Sequence, residues 1–134
     1  MDRECAIRAE KANFDIIELQ FGHGYLVAQF PSPAVNDRKD EYGGSFENRV
    51  RFSLEILRAI KEAVSLPIIV RISRDEMIPE GIKLEEMEKF AKLLEKEGAL
   101  AIHVSAGTVC SNPPWFFQHM FIPKRKIWEM ANRL

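Results

Sequence analysis

Three short stretches hold the residue types that could do chemistry. Gln20, His23 and Tyr25 lie in the first, Arg71, Ser73 and Asp75 in the second, and Ser105 with Gly107 in the third. An amide donates hydrogen bonds without carrying a proton or a charge, an imidazole and a phenol can exchange a proton, and a guanidinium holds a fixed positive charge. Taken singly, each has a plain structural reading. A histidine after a strand is usually a satisfied loop or core residue, a tyrosine an amphipathic packing residue, and an arginine in a strand an ion-pair partner. His103 reads as a hydrogen-bonded core histidine and Phe116-Phe117 as core or interface.

The elements that must position these residues follow from hydrophobic periodicity. Asp2 to Ala12 reads as a helix, and Ile16-Ile17-Glu18-Leu19 as a strand. A long polar loop, Gln20 to Gly44, leads to Ser45, placed to cap a helix whose face is Val50, Leu54, Leu57 and Val64. Ile68 to Ile72 is a second, mostly apolar strand of the kind buried on both faces. Leu84, Met87, Ala91 and Leu94 repeat at helical spacing, and Gly98 stops that helix. Leu100 to Val104 forms a third strand, and Ile127, Met130, Ala131 and Leu134 share a face of a last helix entered from Pro123. Strands alternating with helices require right-handed parallel crossovers, so the fold class is α/β, either a doubly wound sheet or a (β/α)8 barrel. Both gather chemistry at the carboxyl ends of the strands, where all three polar stretches fall. No GxGxxG follows any strand. A complete barrel takes about 250 residues, so three strands would be a piece of one.

Composition narrows the partners. Of 134 residues 46% are hydrophobic, enough for one modest core. Nineteen Lys and Arg against 20 Asp and Glu give no field to concentrate nucleic acid or an anionic membrane surface, so neither is an expected partner. No apolar run approaches the roughly 20 residues of a membrane span, and Met1-Asp2-Arg3-Glu4 opens no signal peptide, so the expected location is cytoplasmic. Cys5 and Cys110 have no CxxC spacing and read as reduced thiols, and His23, His103 and His119 are too scattered for a local zinc site.

Ile17-Glu18-Leu19-Gln20-Phe21-Gly22-His23-Gly24-Tyr25-Leu26, then Gln29-Phe30-Pro31-Ser32-Pro33, Asn36, Arg38, Asp40, Tyr42-Gly43-Gly44-Ser45, Glu47-Asn48-Arg49 and Arg51-Phe52, form a dense motif. It resembles the old yellow enzyme, or NADH:flavin oxidoreductase, family, whose pattern runs V-E-I-H-G-A-H-G-Y-L, Q-F-L-S-P, N-x-R-x-D-x-Y-G-G-S and E-N-R-x-R-F. The resemblance continues through Val70-Arg71-Ile72-Ser73 and Ile102-His103-Val104-Ser105-Ala106-Gly107, and so covers nearly the whole chain. It implies a (β/α)8 barrel in which FMN, reduced by NAD(P)H, passes hydride to the activated C=C bond of an enone or enoate, a small unsaturated carbonyl substrate. Residues 1–134 are then expected to be the central part of one FMN-binding domain, incomplete at both ends.

The resemblance also implies roles. Gln20 and His23 stand at the first and fourth positions of H-x-x-H, whose side chains hold the substrate carbonyl oxygen. Tyr25 stands where the family keeps its general acid. Arg71 matches the arginine beside the flavin N1/O2 edge. The Asn36 to Gly44 loop is expected to be structural, with Gly43-Gly44 permitting a tight turn.

Gln20 replaces the first histidine, which leaves carbonyl binding possible and removes one titrating group. The Ser105 to Trp115 loop, with Asn112-Pro113-Pro114, is similar to the branch of enoate and 2,4-dienoyl-CoA reductases, whose longer members carry an iron–sulfur cluster and a second flavin domain. The cluster cysteines are not in this chain, and His119 is out of register with the histidine, near Val109, that dienoyl-CoA reductases use. The alternatives are an amine-dehydrogenase-type flavoenzyme of the same family and a noncatalytic fragment. For the chain by itself the expectation is weak or no FMN binding, no activity, and self-association through open strand edges.

Overall fold

A computed structural model describes residues 2–109 and 125–132. Cys110, Asn112-Pro113-Pro114, Phe116-Phe117, His119, Pro123 and Leu134 lie outside the described residues, and so do the readings placed on them. The elements run α1 (Asp2–Lys11), β1 (Ile17–Gln20), α2 (Leu26–Gln29), α3 (Phe46–Lys61), β2 (Ile68–Ser73), α4 (Leu84–Lys96), β3 (Ala101–Ser105) and α5 (Lys126–Ala131). The three strands make one parallel sheet in the order β1-β2-β3, so strands consecutive in the chain are neighbours in the sheet.

Local signals set the boundaries. Asn13 takes a left-handed φ of 59°, which Asn tolerates, and turns the chain out of α1. Ser45 caps α3, its hydroxyl accepting from the Asn48 amide at 3.3 Å. Gly98, at φ +97°, ends the turn after α4. The four-residue α2 interrupts what reads in sequence as a continuous loop.

The core fills the space between one face of the sheet and the helices. Val50, Leu54, Leu57 and Ile60 of α3 and Met87, Phe90, Ala91 and Leu94 of α4 are buried there against Ile68, Val70 and Ile72 of β2. Ile17, Leu19 and Ile102 pack against the same cluster. Each fully buried aliphatic or aromatic side chain contributes about 1.5–3 kcal/mol.

The opposite face differs from the sequence expectation. Ile69 and Arg71 are only partly buried, so within this segment β2 is covered on its helical face alone. Among the described residues His103 is not part of the core. Its side chain is 46% exposed on that second face, where Nδ1 lies 2.8 Å from Glu18 Oε2. The alternation of β3 turns Ile102 toward the helices and His103 away from them.

The Asn36 to Gly44 loop is held by its own polar groups. Asn36 Nδ2 donates to the carbonyls of Phe30 and Tyr42 at 2.7 Å each, Arg38 pairs with Asp40, and the Tyr42 hydroxyl donates to Glu55 at 3.1 Å. An added Cβ at Gly43 would run into the Arg38 carbonyl, and Gly44 adopts φ +79°, so both glycines are required by the turn.

Candidate functional site

Register places the polar residues in a row. Gln20 is paired with Arg71 and Arg71 with His103, one residue from each strand on the face turned away from the helices. The next row holds Ser73 and Ser105. Glu18 lies two residues before Gln20 and so shares its face.

Beyond β1 the chain folds over the ends of the other two strands. Gly22 passes so close to β2 that an added Cβ would sit 2.9 Å from the Ser73 amide nitrogen, which leaves no room for a side chain. His23 is in the left-handed region at φ 63°. Its amide donates to Ser73 Oγ at 2.9 Å, the Ser73 hydroxyl donates to the Gly107 carbonyl at 2.9 Å, and the Val109 amide donates to the His23 carbonyl at 2.9 Å. Such a backbone conformation costs a non-glycine residue on the order of 1–3 kcal/mol and persists because the surrounding bonds over-determine it.

His23 is 3% exposed. Its Nδ1 lies 3.2 Å from Gln20 Nε2, and its Nε2 lies 2.7 Å from Ser105 Oγ. The Gly22 amide donates to Gln20 Oε1 at 3.2 Å. Burial, and then the positive fields of Arg71 and His103, hold the His23 pKa below the ordinary imidazole value, so the ring is neutral at pH 7.

Arg71 is partly buried, and its Nε–H is fully buried with no hydrogen-bond partner. Arg74, the residue after β2 and 8% exposed, also has an unpartnered Nε. A buried guanidinium donor left unsatisfied is costly, and a ligand acceptor would relieve it. The Arg71 donor, on the row of Gln20, suits an electron-rich ring edge such as that of a flavin. Among the described residues no group of three or more His, Cys, Asp or Glu could hold a metal ion.

The structure thus brings Gln20, His23 and Arg71 together at the carboxyl ends of β1 and β2. Tyr25 stands at the start of α2, 52% exposed, and its hydroxyl makes no hydrogen bond among the described residues. Sequence reasoning gave no role to Glu18 or Ser105. Strand alternation carried the signal for Glu18, two residues before Gln20, and the register of β2 with β3 carried it for Ser105, opposite Ser73. The buried Glu76 was also missed. Its Oε2 accepts from the Ser32 hydroxyl at 2.7 Å and the Ile82 amide at 2.8 Å, tying the loop after β2 to the loop after β1.

Comparison with known proteins fits this geometry. Residues 3–122 match the model of the NADH:flavin oxidoreductase / NADH oxidase family. An NADH oxidase of Thermoanaerobacter brockii is 54% identical over 112 residues, which cover 82% of this chain and 17% of that protein. An NADPH dehydrogenase of Bacillus cytotoxicus is 47% identical over 107 residues, covering 80% of this chain and 31% of its own. Among solved structures, a 2-naphthoyl-CoA reductase complex superposes with TM-score 0.77 at 30% identity, covering 81% of this chain and 17% of its own. Histamine dehydrogenase from Rhizobium sp. 4-9 gives 0.68 at 38% identity, covering 81% and 16%. Morphinone reductase gives 0.68 at 26% identity, covering 99% of this chain and 35% of its own. The chain therefore spans between about a sixth and a third of the length of these proteins. Its three parallel strands and their helices are a segment of a (β/α)8 barrel. With the family match running through both motif-bearing loops and all three strands, the chain belongs to the NADH:flavin oxidoreductase / NADH oxidase family, that of the old yellow enzymes.

Proposed function

We propose that this chain contributes the substrate-oxygen and proton-donor side of an FMN-dependent ene-reductase site, active in the complete barrel. When bound, FMN reduced by NAD(P)H would supply the hydride that adds to the β-carbon of an enone or enoate. Gln20 and His23, hydrogen-bonded to each other, form the unit that holds the carbonyl oxygen, where negative charge grows as the hydride arrives, so a donor fixed beforehand lowers the barrier. Tyr25 gives its phenolic proton to the α-carbon, which completes the saturated product. Arg71 would hold the N1/O2 edge of the flavin through its unpartnered Nε–H.

One observation carries this reading. The Gln20–His23 hydrogen bond and the orphaned Arg71 donor lie on the same sheet face, at the strand ends where barrels of this kind do their chemistry. A second reading, oxidation of an amine, draws on the likeness to histamine dehydrogenase. A cationic amine would want aromatic faces around it, but Phe21, beside Gln20, is 5% exposed and belongs to the core. Reduction is therefore the favoured reading.

The two half-reactions test it. Tyr25→Phe in the complete enzyme slows enone reduction about 100-fold or more, the usual range for losing a general acid, while flavin reduction by NAD(P)H stays near normal. Stopped-flow traces with both half-reactions equally impaired would remove Tyr25 from its role. Amine oxidation without enone reduction would favour the second reading.

A further inference from the structure

Hydrogen-bond chemistry fixes the protonation pattern of the Gln20–His23 pair. The Gly22 amide can only donate, so the Gln20 atom facing it, at 3.2 Å, is the carbonyl oxygen, and Gln20 Nε2 faces His23. An amide nitrogen can also only donate, so His23 Nδ1 is the acceptor in that bond. A neutral ring with a bare Nδ1 carries its proton on Nε2, and Nε2 lies 2.7 Å from Ser105 Oγ. The chain of donation therefore runs from Gly22 N to Gln20 Oε1, and from Gln20 Nε2 through His23 to Ser105. Any other tautomer, or a flipped amide, sets two donors against each other.

We infer that Ser105 is a positioning residue for carbonyl binding: it accepts the His23 Nε2–H, locks the neutral ring, and through it aims Gln20, whose second Nε2–H is the direct donor to the substrate oxygen. This rests on the ene-reductase reading and divides labour within its oxygen-holding pair. His23 has both ring nitrogens committed and 3% exposure, whereas the second N–H of Gln20 makes no bond among the described residues. The charged and titratable groups around the ring are Arg71 on β2, His103 on β3 with its partner Glu18 on β1, and Glu76, which lines the same small cavity as His23. Arg71 and His103 both disfavour a second proton on the imidazole, which keeps Nδ1 available to Gln20. Ser105 lies 82 residues from His23, and its backbone is fixed by the pairing with Ser73 and by the Arg74 amide, which donates to its carbonyl at 2.9 Å.

Two measurements test this. The first is nitrogen-15 NMR of the histidines of the 134-residue chain, three in number, with the His23 signal identified by its loss in His23→Gln. The expected result is a single neutral Nε2–H tautomer for His23 at pH 7, and a mixture of tautomers in Ser105→Ala. An Nδ1–H tautomer in the unmodified chain overturns the inference whether or not any variant folds. The second is titration of the complete flavin-loaded enzyme with 4-chlorophenolate as a stand-in for the developing oxyanion. Ser105→Ala should raise the Kd about threefold to tenfold, the loss of one hydrogen bond's worth, and Ser105→Thr, which keeps the hydroxyl, should restore it. Equal affinity in Ser105→Ala and the unmodified enzyme also overturns it. Failure of the unmodified enzyme to bind 4-chlorophenolate counts against the ene-reductase reading instead, and the tautomer result then stands apart from it.

Discussion

The two faces of the sheet are made from the same strands and do opposite work. Toward the helices, Ile68, Val70 and Ile72 of β2 are 3%, 0% and 0% exposed against α3 and α4. Away from them, the same strands present Glu18, Gln20, Arg71 and His103, none fully buried. Folding free energy comes from the first face, where apolar area leaves water. The second is a layer of donors and charges with little local reason to be there, and the unpartnered Nε of Arg71 is its plainest sign. A side chain that stabilises nothing nearby is free to be selected for chemistry.

Substitutions that act on one face only should separate the two. Leu57→Ala, on the wholly buried face of α3, removes a core side chain at 0% exposure and should cost about 2–5 kcal/mol in denaturant unfolding. A loss under 1 kcal/mol would show that this core is loosely packed. Next in size is association. Among the described residues β1 and β3 each pair only with β2, and a groove of about 400 Å³ along β1 is lined by Ala6, Ile17, Leu19, Phe21 and Ile60. We propose that the 134-residue chain self-associates through these edges and takes up FMN weakly or not at all, because one guanidinium contact does not offset the immobilisation of so large a cofactor. Light scattering with in-line flavin absorbance should give a mass above that of the monomer and no flavin band, and a yellow stoichiometric monomer would refute both. Smallest is His103→Ala, which deletes the half-exposed pair with Glu18 and should change stability by about 0.2–1 kcal/mol. A larger loss would mean that the face turned away from the helices also carries the fold.

Much of this was legible in the residues because it depends on near neighbours. The strands fall within a residue of where apolar runs place them, Ser45 caps its helix, and Gly98 stops one. What was not legible depends on pairing across the chain. Nothing near Ile68 to Ile72 says which face of that strand the helices of this segment cover, since an apolar run reads alike for one buried face or two. His103 looks like a core histidine until register puts it opposite Arg71 and within reach of Glu18, 85 residues away. The helix α2 is too short to show a period. At the site, the resemblance supplied Gln20, His23, Tyr25 and Arg71 as a set, but the donor chain to Ser105 exists only once β1 and β3 are folded against β2.

The claim that the face turned away from the helices is the flavin face can be tested on the flavin itself. The midpoint potential of the complete flavin-loaded enzyme should fall in Arg71→Met by about 30–60 mV, since about 1.4 kcal/mol of charge stabilisation corresponds to about 30 mV for a two-electron couple. Arg71→Lys should lie between that variant and the unmodified enzyme. Arg58→Met, which removes a guanidinium paired with Glu97 on the helical side, should leave the potential where it is. An unchanged potential in Arg71→Met, or an equal shift in both methionine variants, would contradict the assignment of the two faces.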